Sequence, residues 1–203
     1  MAIVDYATLQ ASVANWLARA DLTSVIPDFI QLAESRINRD LRVRRMQSVA
    51  TGTAASGLIP MPADFVGVLS LRVSWSNGSY ELFPQTSTNA PVYPVDSGLP
   101  LGYTVVGDNI QLENGQLDLP YTLVYWAKIP ALSDINQQTW LLTDEPGIYL
   151  YSALVEASPY VQDDERTILW ATQYKAIVDR MTARDADERY GNAPAAIYSG
   201  ATP

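Results

Sequence analysis

The chain has 203 residues, enough for one large domain or two smaller interleaved ones, and its 48% hydrophobic and 17% charged residues are typical of a globular protein. Its formal net charge of −9 disfavours nucleic-acid binding through the overall field of the protein. The sequence has no cysteine and no histidine, which excludes disulfides, cysteine-ligated zinc, thiol catalysis and the general base most common near neutral pH.

The N-terminal third of the chain has the periodicity of helices. Asp5 is a candidate N-cap for a first helix, because apolar residues recur after it at helical spacing. A second helix is predicted from about Ser24 to about Arg44, with Pro27 tolerated in its first turn. Its apolar residues form one stripe, which comprises Ile26, Phe29, Ile30, Ala33, Ile37 and Leu41.

The middle of the chain changes to the two-residue period of β-strands. The stretch "VLSLRVSW" is predicted to place four apolar side chains on one face, namely Leu69, Leu71, Val73 and Trp75. Asn77 and Gly78 follow it as a hairpin turn, because both residues accept a positive φ. In "YTLVYW", residues 121–126, Tyr121, Leu123 and Tyr125 alternate with the residues of the other face. Residues 84–100 contain four prolines and no periodicity, which indicates a long loop.

The last third of the chain is again predicted to be helical. Thr143 or Asp144 is expected to cap a buried helix, which is apolar nearly all round and is expected to end at Pro159. A final long helix is predicted to begin at Asp163 or Asp164. Its apolar stripe comprises Trp170, Tyr174, Ile177 and Met181.

These elements predict an α+β fold. We expect the N- and C-terminal helix pairs, in residues 1–45 and 131–190, to pack as one helical bundle. Residues 46–130 are expected to form an inserted, small antiparallel β sandwich or barrel, and residues 191–203 an extended C-terminal tail. The chain has no apolar stretch of about 18 residues, and its start lacks the pattern of a signal peptide, so no contact with a membrane is expected.

The segment Glu34–Arg45, "ESRINRDLRVRR", concentrates positive charge, since it holds five arginines while the whole chain has only 13 basic residues. On a helix, Arg36, Asp40 and Arg44 lie four residues apart and beside the apolar stripe. This spacing favours intrahelical ion pairs at the edge of the core, or ion pairs between subunits.

The other three arginines of this segment, Arg39, Arg42 and Arg45, lie three residues apart and are predicted to point away from the stripe. Three interpretations remain open for them: a solvated basic face, contact with an acidic surface of another protein or of a neighbouring copy, and contact with DNA. DNA is the weakest of the three, because no aromatic residues are interleaved with these charges.

The sequence contains no motif that requires catalysis. It has no Walker loop and no G-x-G-x-x-G pattern, and no cofactor or metal site is predicted. Carboxylate groups at residues 144–145, 163–165 and 185–188 are interpreted as helix caps or solvated charges. A carboxylate-based cell-wall hydrolase is the enzymatic alternative, and it would need one of these acids to be buried with a raised pKa.

Two long stretches resemble a known family. "IPDFIQLAESRINRDLRVRRM", followed by "ATGTAASGLIPMPADFVGVLSLRV", is similar to the N-terminal half of tailed-phage head-to-tail adaptor proteins, also called connector or head-completion proteins. "WLLTDEPGIYLYSALVEASPYVQDDERTILWATQYKAIVDRM" resembles their C-terminal half. The resemblance covers roughly residues 20–185, in order.

The resemblance implies a structural role in the virion neck, without catalytic residues or cofactors. It implies a ring, generally of twelve copies, that is assembled in the host cytoplasm, docks under the portal protein and provides a platform for tail or nozzle proteins. Genomic DNA would pass through the lumen without specific binding. Because such rings commonly attach to the portal through helical faces and a C-terminal tail, the resemblance implies partner contacts at Arg39, Arg42, Arg45 and Tyr198. The structural alternative is another tail-associated protein.

Overall fold

The computed structural model describes residues 2–76, 78–85, 100, 102–113, 118–161 and 164–190. Its helices and strands confirm the predicted α+β class. The chain divides into two units, which we call the helical unit (Met1–Arg44 with Ile129–Pro203) and the β unit (Arg45–Lys128). The predicted tail, residues 191–203, and most of the predicted loop at residues 84–100 lie outside the described residues.

The helices of the helical unit are α1 (Tyr6–Leu17), α2 (Ile26–Asp40), α3 (Trp140–Asp144), α4 (Pro146–Val161) and α5 (Asp164–Tyr190). Asp5 caps α1 as predicted, because its Oδ1 accepts a hydrogen bond from the backbone N–H of Thr8 at 2.8 Å. The Thr8 hydroxyl oxygen in turn accepts from the Asp5 N–H at 3.0 Å, which completes a capping box.

Helix α4 is the centre of the helical unit. It packs against α1, α2 and α5, and its buried side chains lie on nearly all sides, as its uniformly apolar sequence predicted. The apolar stripe of α2 is buried, and Trp170, Tyr174 and Ile177 of α5 are buried as well. The core of this unit therefore joins parts of the chain that lie on either side of the β unit.

Two predicted helix boundaries in this unit are wrong. Pro159 lies inside α4, which continues to Val161. A proline removes one backbone hydrogen bond and crowds the preceding turn, but here it is exposed and near the helix end, where little helix follows. The predicted caps Thr143 and Asp144 lie within α3. Thr139 is the N-cap of α3, and its Oγ1 accepts from the Leu142 N–H at 3.1 Å.

The strands of the β unit are β1 (Gln47–Thr53), β2 (Leu58–Pro60), β3 (Phe65–Trp75), β4 (Gly78–Pro84), β5 (Gly102–Val106), β6 (Asn109–Leu112) and β7 (Pro120–Ala127). They form one sheet in the order β1-β7-β3-β4-β5-β6-β2. Neighbouring strands are antiparallel except β4 and β5, which are parallel, with Phe83 opposite Gly102. The sheet is thus mixed rather than purely antiparallel, because the chain crosses over between these two strands instead of turning back in a hairpin.

The inner face of this sheet was largely predicted by alternation. Leu123 and Tyr125 of β7, and Leu71 and Val73 of β3, are buried in one apolar cluster. Leu69 departs from the prediction and is 39% exposed. The ladder between β3 and β7 shifts register between Val68 and Ser70, and such a bulge breaks the alternation of faces.

Leu123→Ala tests whether this cluster stabilises the β unit. Because Leu123 is fully buried in the apolar cluster, we expect the free energy of unfolding to fall by about 2–5 kcal/mol. Urea titration followed by tryptophan fluorescence would measure the change. Val124→Ala, one residue along β7 on the other face, is the control and should cost about 1 kcal/mol or less. Equal effects of the two substitutions would contradict the assignment of faces.

Candidate partner-binding surface

The segment that concentrates arginines is not one continuous helix. Helix α2 ends at Asp40, earlier than predicted, and Leu41 is its C-cap with extended dihedral angles, φ −94° and ψ 133°. Leu41 and Val43 are 0% and 4% exposed. The extended segment buries both side chains, whereas a continued helix would rotate Val43 away from the stripe. This burial explains the early helix end.

Arg36 and Arg44 make ion pairs between helices of the same chain. Arg36 Nε lies 2.6 Å from Glu156 Oε1 on α4. Arg44 Nη2 lies 2.6 Å from Glu188 Oε2 on α5, and the Arg44 backbone N–H donates to Asp185 Oδ1 at 2.7 Å. Within the described part of the chain, Arg36 and Arg44 therefore do not make the expected pairs with Asp40, because Arg44 has left the helix and carboxylates of α4 and α5 lie within reach.

Asp40 links the end of α2 to α5. Its Oδ1 accepts from Arg39 Nε at 3.1 Å, and its Oδ2 accepts from the Tyr174 hydroxyl at 3.1 Å. Burial, reinforced by the negative charge of Asp40, raises the pKa of Tyr174 well above its ordinary value. The phenol consequently stays protonated and remains a hydrogen-bond donor to this carboxylate.

The other predicted set, Arg39, Arg42 and Arg45, does not form one helical face. Arg42 lies beyond the helix end, and its Nη1 donates to the carbonyl oxygens of Asn38 and Leu41, both at 2.6 Å. The Arg42 guanidinium thus donates to carbonyl groups at the end of α2, which have no hydrogen-bond donor within the helix. The Arg39 side chain is 70% exposed beside Asp40. Arg45 is exposed and belongs to the β unit, and Tyr198 lies outside the described residues.

A buried acid, Glu34, is a site residue that sequence reasoning missed. The residue is 9% exposed, and its Oε1 accepts from the Leu132 N–H at 2.7 Å. Burial raises the pKa of Glu34 to about 7, although the hydrogen bond from Leu132 opposes the shift. The spacing contained the signal, since residue 34 lies four after Ile30 and three before Ile37, on the apolar stripe.

Glu34 lines a cleft of about 230 Å³ in the helical unit. The other residues that line it are Tyr6, Pro27, Asp28, Ile30, Gln31, Ala131 and Leu132. Two of the lining residues are acidic and none is basic, so the cleft carries negative charge at neutral pH whenever Glu34 is ionised.

Among the described residues, no three acidic side chains cluster in a way that could hold a metal ion. None of the described helices has the length and apolar character that crossing a membrane requires.

Comparison with known proteins links both units of the chain to one family. The model of the SU10 adaptor protein family matches residues 4–198. A comparison with curated proteins gave no match. The family match covers the helices, the inserted strands and the arginine-rich segment, so it applies to the chain as a whole rather than to one unit.

Glu34→Gln tests the buried charge. The pKa of Glu34 in the folded chain lies above its ordinary value of 4.5, so protonation of this carboxyl group stabilises the fold at low pH. This contribution is lost as the pH rises through about 7. Glutamine keeps an acceptor for the Leu132 N–H but does not titrate. We expect wild type to lose about 1–3 kcal/mol of unfolding free energy relative to the variant between pH 5 and pH 8. Urea titrations at four pH values would measure this difference.

The control for that series is Asp187→Asn, which removes one charge from an exposed position of α5. Its unfolding free energy should differ from wild type by an amount that barely changes with pH. A Glu34→Gln difference that is constant from pH 5 to pH 8 would contradict the raised pKa.

Proposed function

Since the chain belongs to the SU10 adaptor protein family, a family of tailed-phage head–tail adaptors, we propose that it forms a ring of twelve copies beneath the portal protein in the virion neck. The ring continues the DNA channel of the portal and offers a platform for tail or nozzle proteins. The protein is made in the host cytoplasm and becomes part of the virion. The observation that carries this proposal is the family match over residues 4–198, which includes both units.

The distribution of charge supports passage of DNA without specific binding. The net charge is −9, and an acidic wall repels phosphates instead of holding them. Arg36 and Arg44 are engaged with Glu156 and Glu188, and Arg42 with backbone carbonyl groups. These three arginines therefore serve the fold of their own chain rather than a nucleic-acid surface.

We propose that Arg39, Arg42, Arg45 and Tyr198 form the contact with partner proteins, with Arg42 acting indirectly. Arg39 and Arg45 are both exposed, and Arg42 holds the end of α2 that positions Arg39. Arginine suits such contacts because its planar guanidinium makes paired hydrogen bonds with carboxylates. Tyr198 lies outside the described residues, and its place in this proposal rests on the family match, which extends to residue 198.

The cell-wall hydrolase alternative has one observation in its favour, since Glu34 is a buried acid with a raised pKa in a cleft that Asp28 also lines. Two features argue against it. The cleft of about 230 Å³ is smaller than the roughly 300–1,000 Å³ of pockets that hold even small ligands, and a glycan chain is larger. The Glu34 carboxylate is also held by the Leu132 N–H.

Co-assembly with the cognate portal protein tests the proposed function. The purified chain and the portal protein would be mixed and viewed by electron microscopy. Rings of this chain on the portal support the adaptor role, and absence of such rings, together with absence of the chain from purified necks, overturns it. Rings or tubes that form equally well without the portal would indicate the other tail-associated role.

Charge reversal tests the proposed contact. We expect Arg39→Glu and Arg45→Glu each to weaken assembly on the portal at least tenfold, because an acidic surface, on another protein or on a neighbouring copy, would then face a negative charge. Titration of portal with labelled variant would measure the change. Lys175→Glu on α5, whose side chain is 75% exposed, is the matched control and should assemble normally. If both arginine variants assemble like wild type, the contact lies elsewhere, whether or not the adaptor role holds.

A further inference from the structure

The charge of helix α2 and the segment after it changes sign along its length. Residues 26–34 contain the acids Asp28 and Glu34 and no basic residue, whereas residues 35–45 contain five arginines and the single acid Asp40. A segment with this polarity is complementary to a second copy of itself. A closed ring of identical subunits needs this type of complementarity, because each interface joins two different faces of the same protein.

The two acidic residues in the first part of this segment, Asp28 and Glu34, line a cleft rather than a flat exposed surface. Glu34 is 9% exposed and lines the cleft, with one carboxylate oxygen held by the Leu132 N–H. Its Oε2 has no hydrogen-bond partner among the residues that the structure describes. Asp28 lines the same cleft and is exposed. The cleft is small for a metabolite, but its size suits the end of one side chain.

Arg39, in the basic part of the segment, contributes little to the stability of its own chain. Arg36 and Arg44 pair with carboxylates of α4 and α5, and Arg42 is half-buried at the end of α2. Arg39 is 70% exposed, and its contact with Asp40, the residue next to it, is an exposed one that contributes little to stability. Its guanidinium is therefore free to exchange this partner for a better one.

We propose that the cleft beside Glu34 receives the guanidinium of Arg39 from a neighbouring copy of this chain. The inference rests on the proposed ring and specifies one of its subunit contacts. Inside the cleft, the guanidinium can donate a charge-assisted hydrogen bond to the free oxygen of Glu34, and Asp28 adds negative charge to the lining of the same cleft. The arriving positive charge also favours the ionised form of Glu34, which burial alone disfavours.

A double-mutant cycle on assembly tests this contact. The variants are Glu34→Gln, Arg39→Gln and the double variant, each titrated into portal protein while the fraction of complete rings is counted by electron microscopy. We expect each single substitution to weaken ring formation about tenfold, and the double variant to be about as weak as either single one. Circular dichroism would establish that each variant is folded.

Two further variants complete the design. Asp187→Asn removes one exposed negative charge from α5 and should form rings like wild type. Ala131→Trp fills the exposed lip of the cleft while leaving Glu34 in place, and it should weaken ring formation as Glu34→Gln does. This variant keeps the test decisive if Glu34→Gln fails to fold.

The outcomes separate this contact from the adaptor role itself. If wild type forms no ring on the portal, the proposed function fails. If wild type forms rings and Glu34→Gln forms them equally well, the adaptor role stands and this contact is overturned. A double variant that is about a hundredfold weaker, the product of the two single effects, also overturns it, because Glu34 and Arg39 then act on different partners.

Discussion

The burial of α4 against α1, α2 and α5 is the interaction on which the helical unit depends. Its partners come from both sides of the β unit, so the chain must close a long loop before these contacts form. The entropy cost of closing a loop rises only slowly with loop length. Burial of the large apolar surface of α4 offsets this cost. Polar contacts then set the register of the closed unit, among them Arg36 with Glu156 and Asn38 with the Ile129 N–H.

This closure explains why an acidic protein gathers arginines in one short segment. Helix α2 ends where α4 and α5 bring carboxylates close, and a long side chain with several donors can reach them from a helix that stops at Asp40. A lysine would bring one compact charge, whereas Arg42 contacts two carbonyl oxygens at once. Most of the positive charge in the segment is therefore architectural. Arg39 and Arg45 are exposed, and the proposed contact uses them rather than the whole segment.

The sequence predicted those features that local chemistry decides. The cap at Asp5, the buried face of β7 and the uniformly apolar α4 depend on residues a few positions apart, and the structure contains all three. The sequence could not predict the end of α2. The chain leaves the helix at Leu41 because the rest of the unit then buries the side chains of both Leu41 and Val43. The bulge beside Leu69 and the parallel pairing of β4 with β5 likewise depend on distant strands.

The most informative failure concerns Glu34, whose position on the apolar stripe was visible but whose role was not. A hydrogen bond to the Leu132 N–H does not require a carboxylate, because the oxygen of a glutamine would accept it equally well. Burial makes the charge unfavourable in the isolated chain. A charge that the fold alone does not need gains a physical reason once a cation can enter the cleft. In the proposed contact, the guanidinium of a neighbouring copy offsets this unfavourable burial, so the charge contributes to assembly rather than to the fold of one chain.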